Sequence, residues 1–102
     1  MNDLEKVLND IREERARQDE KWGGAGHDDR HDPETWVQII QDYAGWARIM
    51  SGQGSPDKAR RRLMQVAALA VAACESMDRL MQDADSEANL AWKEENRARG
   101  PL

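Results

Sequence analysis

Apolar residues recur along this chain at helical spacing and nowhere alternate as they would in a strand. Leu4, Val7, Leu8 and Ile11 form one stripe, which predicts a helix from about Asp3 to Lys21. Arg15 and Gln18 continue that stripe in polar form as far as Trp22. Two readings follow: a solvated helix end with intrahelical ion pairs such as Glu13 with Arg17, or a polar pocket at the end of a bundle. A second helix starts at Asp32-Pro33-Glu34: an N-cap, a proline suited to the first helical position, and an acid at the positive end of the dipole. Trp36, Ile39, Ile40, Tyr43, Ala47 and Met50 mark its inner face, and Ser51-Gly52-Gln53-Gly54 ends it.

Ser55-Pro56-Asp57 opens a third helix in the same way. Leu63, Val66, Ala67, Ala70, Ala73, Cys74, Met77 and Leu80 form one of its faces, and Met64, Ala68 and Val71 a second. A helix apolar on two faces is expected at the centre of a bundle. The pattern therefore predicts an all-α protein, a small bundle of three main helices with residues 1–82 as its single domain. Residues 83–102 read either as a polar tail or as a fourth helix docking Leu90, Ala91 and Trp92.

A chain of 102 residues with 34% charged side chains has a thin core. Together with an alanine-rich central helix, this predicts a homo-oligomer. The net charge of -5 argues against general nucleic-acid binding while leaving room for a local basic patch. The single Cys74, set in an apolar run, reads as a small buried hydrophobe in a reducing cytoplasm. The N-terminus does not read as a signal peptide, and the longest apolar run, Val66 to Cys74, is too short to span a membrane.

Candidate chemistry gathers at three places. The first is the segment after Lys21-Trp22-Gly23-Gly24, which carries both histidines of the chain: His27, Asp28, Asp29, His31 and Asp32. His27, Asp28, Asp29 and His31 are metal-ligand types, but their spacing matches no closed zinc pattern, and turn and capping roles account for such residues in most loops, as expected for Asp32. The glycines allow backbone amides to approach a ligand, and Trp22 offers a face for stacking a base. The second place is the run Lys58, Arg60, Arg61 and Arg62 at a helix N-terminus, where positive charge opposes the dipole. Carboxylates from the acidic first helix could offset it, or the run could hold a phosphate. The third is Glu75 and Asp78, which share a helix face and could meet Asp42 from the second helix. Such hard oxygen ligands suit Mg²⁺, although a salt bridge to a neighbouring arginine is the preferred reading.

Taken together, Glu14-Arg15-Ala16-Arg17-Gln18, Trp22, His27-Asp28-Asp29, Trp36 with Ile39, and Val66 to Arg79 resemble a group of short phage and bacterial proteins. Some of that group are similar to the MazG-type all-α nucleotide pyrophosphohydrolases. In those enzymes a helix bearing E-E-x-x-E faces one bearing E-x-x-D, and the acids hold Mg²⁺ at a triphosphate. Glu75-Ser76-Met77-Asp78 resembles the E-x-x-D. Opposite it, the second helix offers Asp42, Tyr43 and Trp46, of which only Asp42 is a carboxylate. The resemblance thus implies a nucleotide pocket more than turnover, since a metal short of ligands stabilises little charge and aromatic substitutes suit a base.

The leading expectation is a phage-type protein that sequesters a nucleotide or cyclic nucleotide in the host cytoplasm, an anti-defence sponge. Trp22, Tyr43 or Trp46 would stack the base, His27 and Asp28 would contact the ligand, and Arg60, Arg61 and Arg62 would hold phosphates. The alternatives are a Mg²⁺-dependent pyrophosphohydrolase using Asp42, Glu75 and Asp78, and a small inhibitor of a host protein complex acting through its acidic surface.

Overall fold

The two helices that flank the site start at side-chain caps in the computed structural model, which describes residues 2–83. Helix α1 spans Asp3–Trp22. The Asn2 side chain caps it, accepting from the Glu5 amide at 2.8 Å. Gly23 ends it in the left-handed conformation at φ 102°, its N–H bonded back to Asp19 O at 2.9 Å. Only glycine holds that conformation without a steric cost, so the turn is built into the sequence at this position.

A single helical turn, α2 (Ala25–Asp28), occupies part of the segment expected to be an open loop. Helix α3 spans Pro33–Gly52, and the Asp32 carboxylate accepts from the Thr35 amide at 2.7 Å, the cap expected from sequence. Helix α4 spans Pro56–Asp83. The described residues thus form an all-α bundle in which α1, α2 and α3 each pack against α4. No helix among them is long and apolar enough to cross a membrane. The proposed tail or docking helix lies outside the described residues.

The core centres on Trp36 of α3 against Leu69, Ala72 and Ala73 of α4, with Trp22, Ile39, Ile40, Tyr43 and Met77 packed around it. Alanines at 47, 59 and 68 are also buried, which brings helix backbones close together. Helix α4 is central, as expected, but its buried strip runs through Ala68, Leu69, Ala72, Ala73 and Ser76. Leu63, Val71 and Leu80, expected inside, are exposed, and so is Cys74, which therefore is not a core residue. The reason is low contrast: a helix with alanine on most sides has no sharply defined apolar stripe, so its neighbours decide which side is covered. The stripe of α1 is also largely uncovered, with Leu4 66%, Leu8 43% and Val7 38% exposed.

Candidate functional site

The inner face of α1 turns polar in its second half, where intrahelical ion pairs and a lined cavity are both found. Glu14 and Gln18 are each only 4% exposed. Glu14 pairs with Arg17, the ion pair that the sequence suggested for Glu13. The Gln18 amide nitrogen donates to Glu14 Oε2 at 3.3 Å and to the Gln65 carbonyl on α4 at 3.4 Å. Arg15 points across to α4, where its Nη2 lies 3.0 Å from Glu75 Oε1, while its Nη1 donates to Asp19 at 2.8 Å.

After Gly23 and Gly24, both at positive φ, the short α2 turn places His27 and Asp28 beside Trp22. Asp29, just beyond, ties this turn to α4. Its carboxylate accepts from Ser76 Oγ at 2.7 Å and from Arg79 Nη2 at 2.8 Å, with Arg79 Nε at 3.3 Å. An edge-to-face series follows: the His27 and His31 rings lie 4.9 Å apart at 88°, and His31 and Trp36 lie 4.9 Å apart at 84°. Trp22 lies nearly parallel to His27, with centroids 6.5 Å apart.

These residues enclose a cavity of about 90 Å³. Trp22, His27, His31, Trp36 and Tyr43 supply aromatic walls, Arg15, Gln18 and Asp28 supply polar groups, and Ile39, Leu69 and Ala72 complete the lining. A cavity of about 150 Å³ accommodates a benzene, so this one has room for the edge of a single ring. A second cavity, of about 140 Å³, adjoins it through Gln18, Trp22 and Tyr43 and carries Glu14, Arg17 and Lys21. Two buried polar atoms among the described residues have no hydrogen-bond partner, Gln18 Oε1 and Trp36 Nε1, and both belong to residues lining the first cavity.

The structure gathers Trp22, His27, Asp28 and Tyr43 around one cavity and leaves the other sequence candidates elsewhere. Trp46 is exposed, packs on Tyr43 at 4.8 Å, and lies under the Arg62 guanidinium at 5.1 Å. Arg60 pairs with Asp10 of α1 at 2.9 Å, the acidic partner that the sequence suggested for the basic run. Arg60 and Arg61 line a mixed-charge groove with Asp10, Glu13, Glu14 and Asp57, while Arg62 lies over the outer rings of Tyr43 and Trp46, 6.0 and 5.1 Å from their centroids, so the three arginines do not converge on the aromatic cavity. Asp42, Glu75 and Asp78 are exposed, and no group of three His, Cys, Asp or Glu residues placed to hold a metal occurs among the described residues. Glu75 is held by Arg15, the salt bridge preferred from sequence. Arg15, Gln18 and Trp36 were not among the sequence candidates for ligand contact, and His31 was named only as a metal-ligand type. The polar turn of the α1 stripe at Arg15 and Gln18 was the signal that could have found the first two.

The Arg79 guanidinium, and after it the Ser76 hydroxyl, hold the Asp29 carboxyl below its ordinary value. Arg60 and Lys6 do the same for Asp10, and the Thr35 amide for Asp32. A carboxyl whose folded value is depressed stabilises the fold above its unfolded value and loses that contribution as pH falls through the folded one. Stability should therefore hold down to about pH 5 and decline below about pH 4, where unfolded aspartate takes up its proton. Asp29→Asn should lower stability at pH 7 and flatten the acid limb. Urea titrations at pH 7 and pH 3, followed by far-ultraviolet circular dichroism, measure both. Equal losses for the variant at the two pH values would show that the Asp29 charge does not tie α2 to α4.

The fold and the site define a small all-α protein with a partly open cavity walled by aromatic and polar side chains. No family model, curated protein or solved structure matches this chain.

Proposed function

We propose that this protein binds a nucleotide and retains it without hydrolysis. The observation that carries the reading is the junction, through Gln18, Trp22 and Tyr43, of an aromatic-walled cavity with one that carries Lys21 and the Arg17–Glu14 pair. A base edge enters between Trp22, Tyr43 and Trp36, and the phosphates lie toward Arg17 and Lys21, whose ammonium is 5.4 Å from the Trp22 ring. Stacking on tryptophan and tyrosine is favourable for any base, and cations at the mouth favour the anionic end of the ligand. The engagement of Glu75 by Arg15 and the exposure of Asp42 and Asp78 favour retention over metal-assisted hydrolysis. In this reading the protein acts by sequestration, as a phage anti-defence sponge in host cytoplasm, in a homo-oligomer joined through Leu4, Val7 and Leu8 of α1.

The test is an incubation of purified protein with Mg²⁺ and a panel of NTPs, dNTPs and cyclic nucleotides, followed by filtration and chromatography of the free and heat-released fractions. Depletion of a nucleotide that returns intact on heating is the expected result. Release of monophosphate and pyrophosphate would replace retention with catalysis, and no depletion at all would overturn the nucleotide reading. Light scattering on the same sample should give a mass that is a multiple of 11.6 kDa, and a monomer mass would remove the assembly.

A further inference from the structure

The cavity wall formed by residues 24–31 has no hydrophobic anchor. Between Gly23 and Pro33 the only apolar side chain is Ala25, and it is exposed. This stretch nevertheless supplies His27, Asp28 and His31 to the cavity lining. A single turn such as α2 is not stable as an isolated helix, because it fixes several dihedrals for very few hydrogen bonds. A Cβ placed at Gly24 or Gly26 would meet nothing within 4 Å, so neither position packs against a neighbour. The chain enters the turn through Gly23 and Gly24, at φ 102° and 69°, where glycine is conformationally free. Two kinds of side-chain tie hold the stretch to the bundle. One is the set of ring contacts made by His27 and His31 with Trp22 and Trp36. The other is Asp29, which accepts from Ser76 Oγ at 2.7 Å and from Arg79 Nη2 at 2.8 Å. Ser76 is 0% exposed, so water does not compete for its bond, and hydrogen bonds between ionised partners are the stronger kind.

We infer that this stretch is a latched wall: it opens as a unit about Gly23 and Gly24 while the three long helices stay packed, and the hold of Asp29 on Ser76 and Arg79 is the latch. A region with few buried apolar contacts opens at a smaller free-energy cost than the whole domain unfolds. The core of Trp36, Leu69, Ala72 and Ala73 lies on α3 and α4 and is kept when the latch releases. Opening withdraws His27, Asp28 and His31 from a cavity otherwise lined by the long helices, and so gives a ligand its way in and out. The inference goes beyond the nucleotide reading: it concerns access to the cavity and holds for any occupant.

Native-state hydrogen exchange on the full chain, followed by NMR in a series of low urea concentrations, tests this. The amides of Asp28, Asp29, Arg30 and His31 are all hydrogen-bonded within the stretch. They should share one level of protection, below that of the Leu69 and Ala72 amides, with a shallower dependence on urea because little surface is exposed. Asp29→Ala should speed their exchange by at least about tenfold, the scale of one hydrogen bond to a charged group. Ser76→Ala removes one donor, keeps α4 helical, and should shift the same amides by a smaller factor. Access is read separately. The chain has two histidines, both on this wall, and His31 is packed edge-on against His27 and Trp36. Acylation of His31 by diethylpyrocarbonate, followed by mass spectrometry, should therefore quicken in Asp29→Ala. Wild-type amides with the protection and urea slope of α4, or with no protection, would overturn the latched wall. Unchanged amide exchange or an unchanged His31 rate in Asp29→Ala would do the same. The wild-type urea series needs no variant, so a folding defect leaves the test in force, and a nucleotide panel that binds nothing leaves its outcome untouched.

Discussion

Trp36→Ala should destabilise the fold by about 3–5 kcal/mol, the usual cost of truncating a buried aromatic to alanine. Trp36 is 2% exposed and forms the core with Leu69, Ala72 and Ala73. Domains of this size are stable by only about 5–15 kcal/mol, so the variant should be close to unfolded at 37 °C. Trp36→Phe keeps most of the ring contact and removes the unpaired N–H, and its loss should be much smaller than that of the alanine variant. Urea unfolding followed by circular dichroism gives both values. A loss below about 1 kcal/mol for Trp36→Ala would mean that α3 and α4 are held together by their alanine contacts and not by this ring.

Trp22→Ala should reduce nucleotide affinity by about 5- to 150-fold, the equivalent of the ~1–3 kcal/mol that one aromatic contributes to stacking on a base. Trp22 is half-buried at the end of α1, on the boundary shared by the two cavities, and its indole is nearly parallel to His27. It packs on the rim of the core and not at its centre, so the accompanying stability loss should be smaller than that of Trp36→Ala. Trp22→Phe should recover much of the affinity, because a phenyl ring still stacks. The measurement is a titration with the nucleotide retained in the incubation experiment, alongside a thermal melt of each variant. Unchanged affinity for Trp22→Ala would place the ligand away from both cavities and direct attention to the Arg60–Arg61 groove.

Much of the architecture is written in short stretches of sequence. Asp32-Pro33-Glu34 starts α3 because the cap, the restricted proline φ and the dipole all act within one turn. The seam of α3 at Trp36, Ile39, Ile40, Tyr43, Ala47 and Met50 was legible because apolar and polar residues alternate sharply at helical spacing there. The pairing of the basic run with α1 was legible as charge logic, and Arg60 with Asp10 realises it. The conversion of Ala25–Asp28 from loop to helical turn was not, since two glycines before a four-residue turn carry no periodicity.

The site was legible only in part, and the division has a physical basis. Trp22, His27 and Asp28 are close in sequence, and a dense polar cluster after a glycine stop marks them out. Gln18 and Trp36, which carry the unpaired groups, belong to different helices, and no local pattern distinguishes Trp36 as a hydrogen-bond donor from Trp36 as core. Tyr43 and Trp46 looked equivalent on α3, yet Tyr43 lines the cavity while Trp46 lies outside under Arg62.

Sequence by itself determined the three long helices, the Asp32 cap and the apolar seam of α3, because those features arise from interactions among residues at most a few positions apart. The tertiary structure alone decided which side of the alanine-rich α4 is buried, that Asp29 reaches Ser76 and Arg79, and that Gln18 and Trp36 share a cavity with Trp22. Each of these depends on pairs from different helices, and their meeting is set by how the helices pack rather than by the residues at either position.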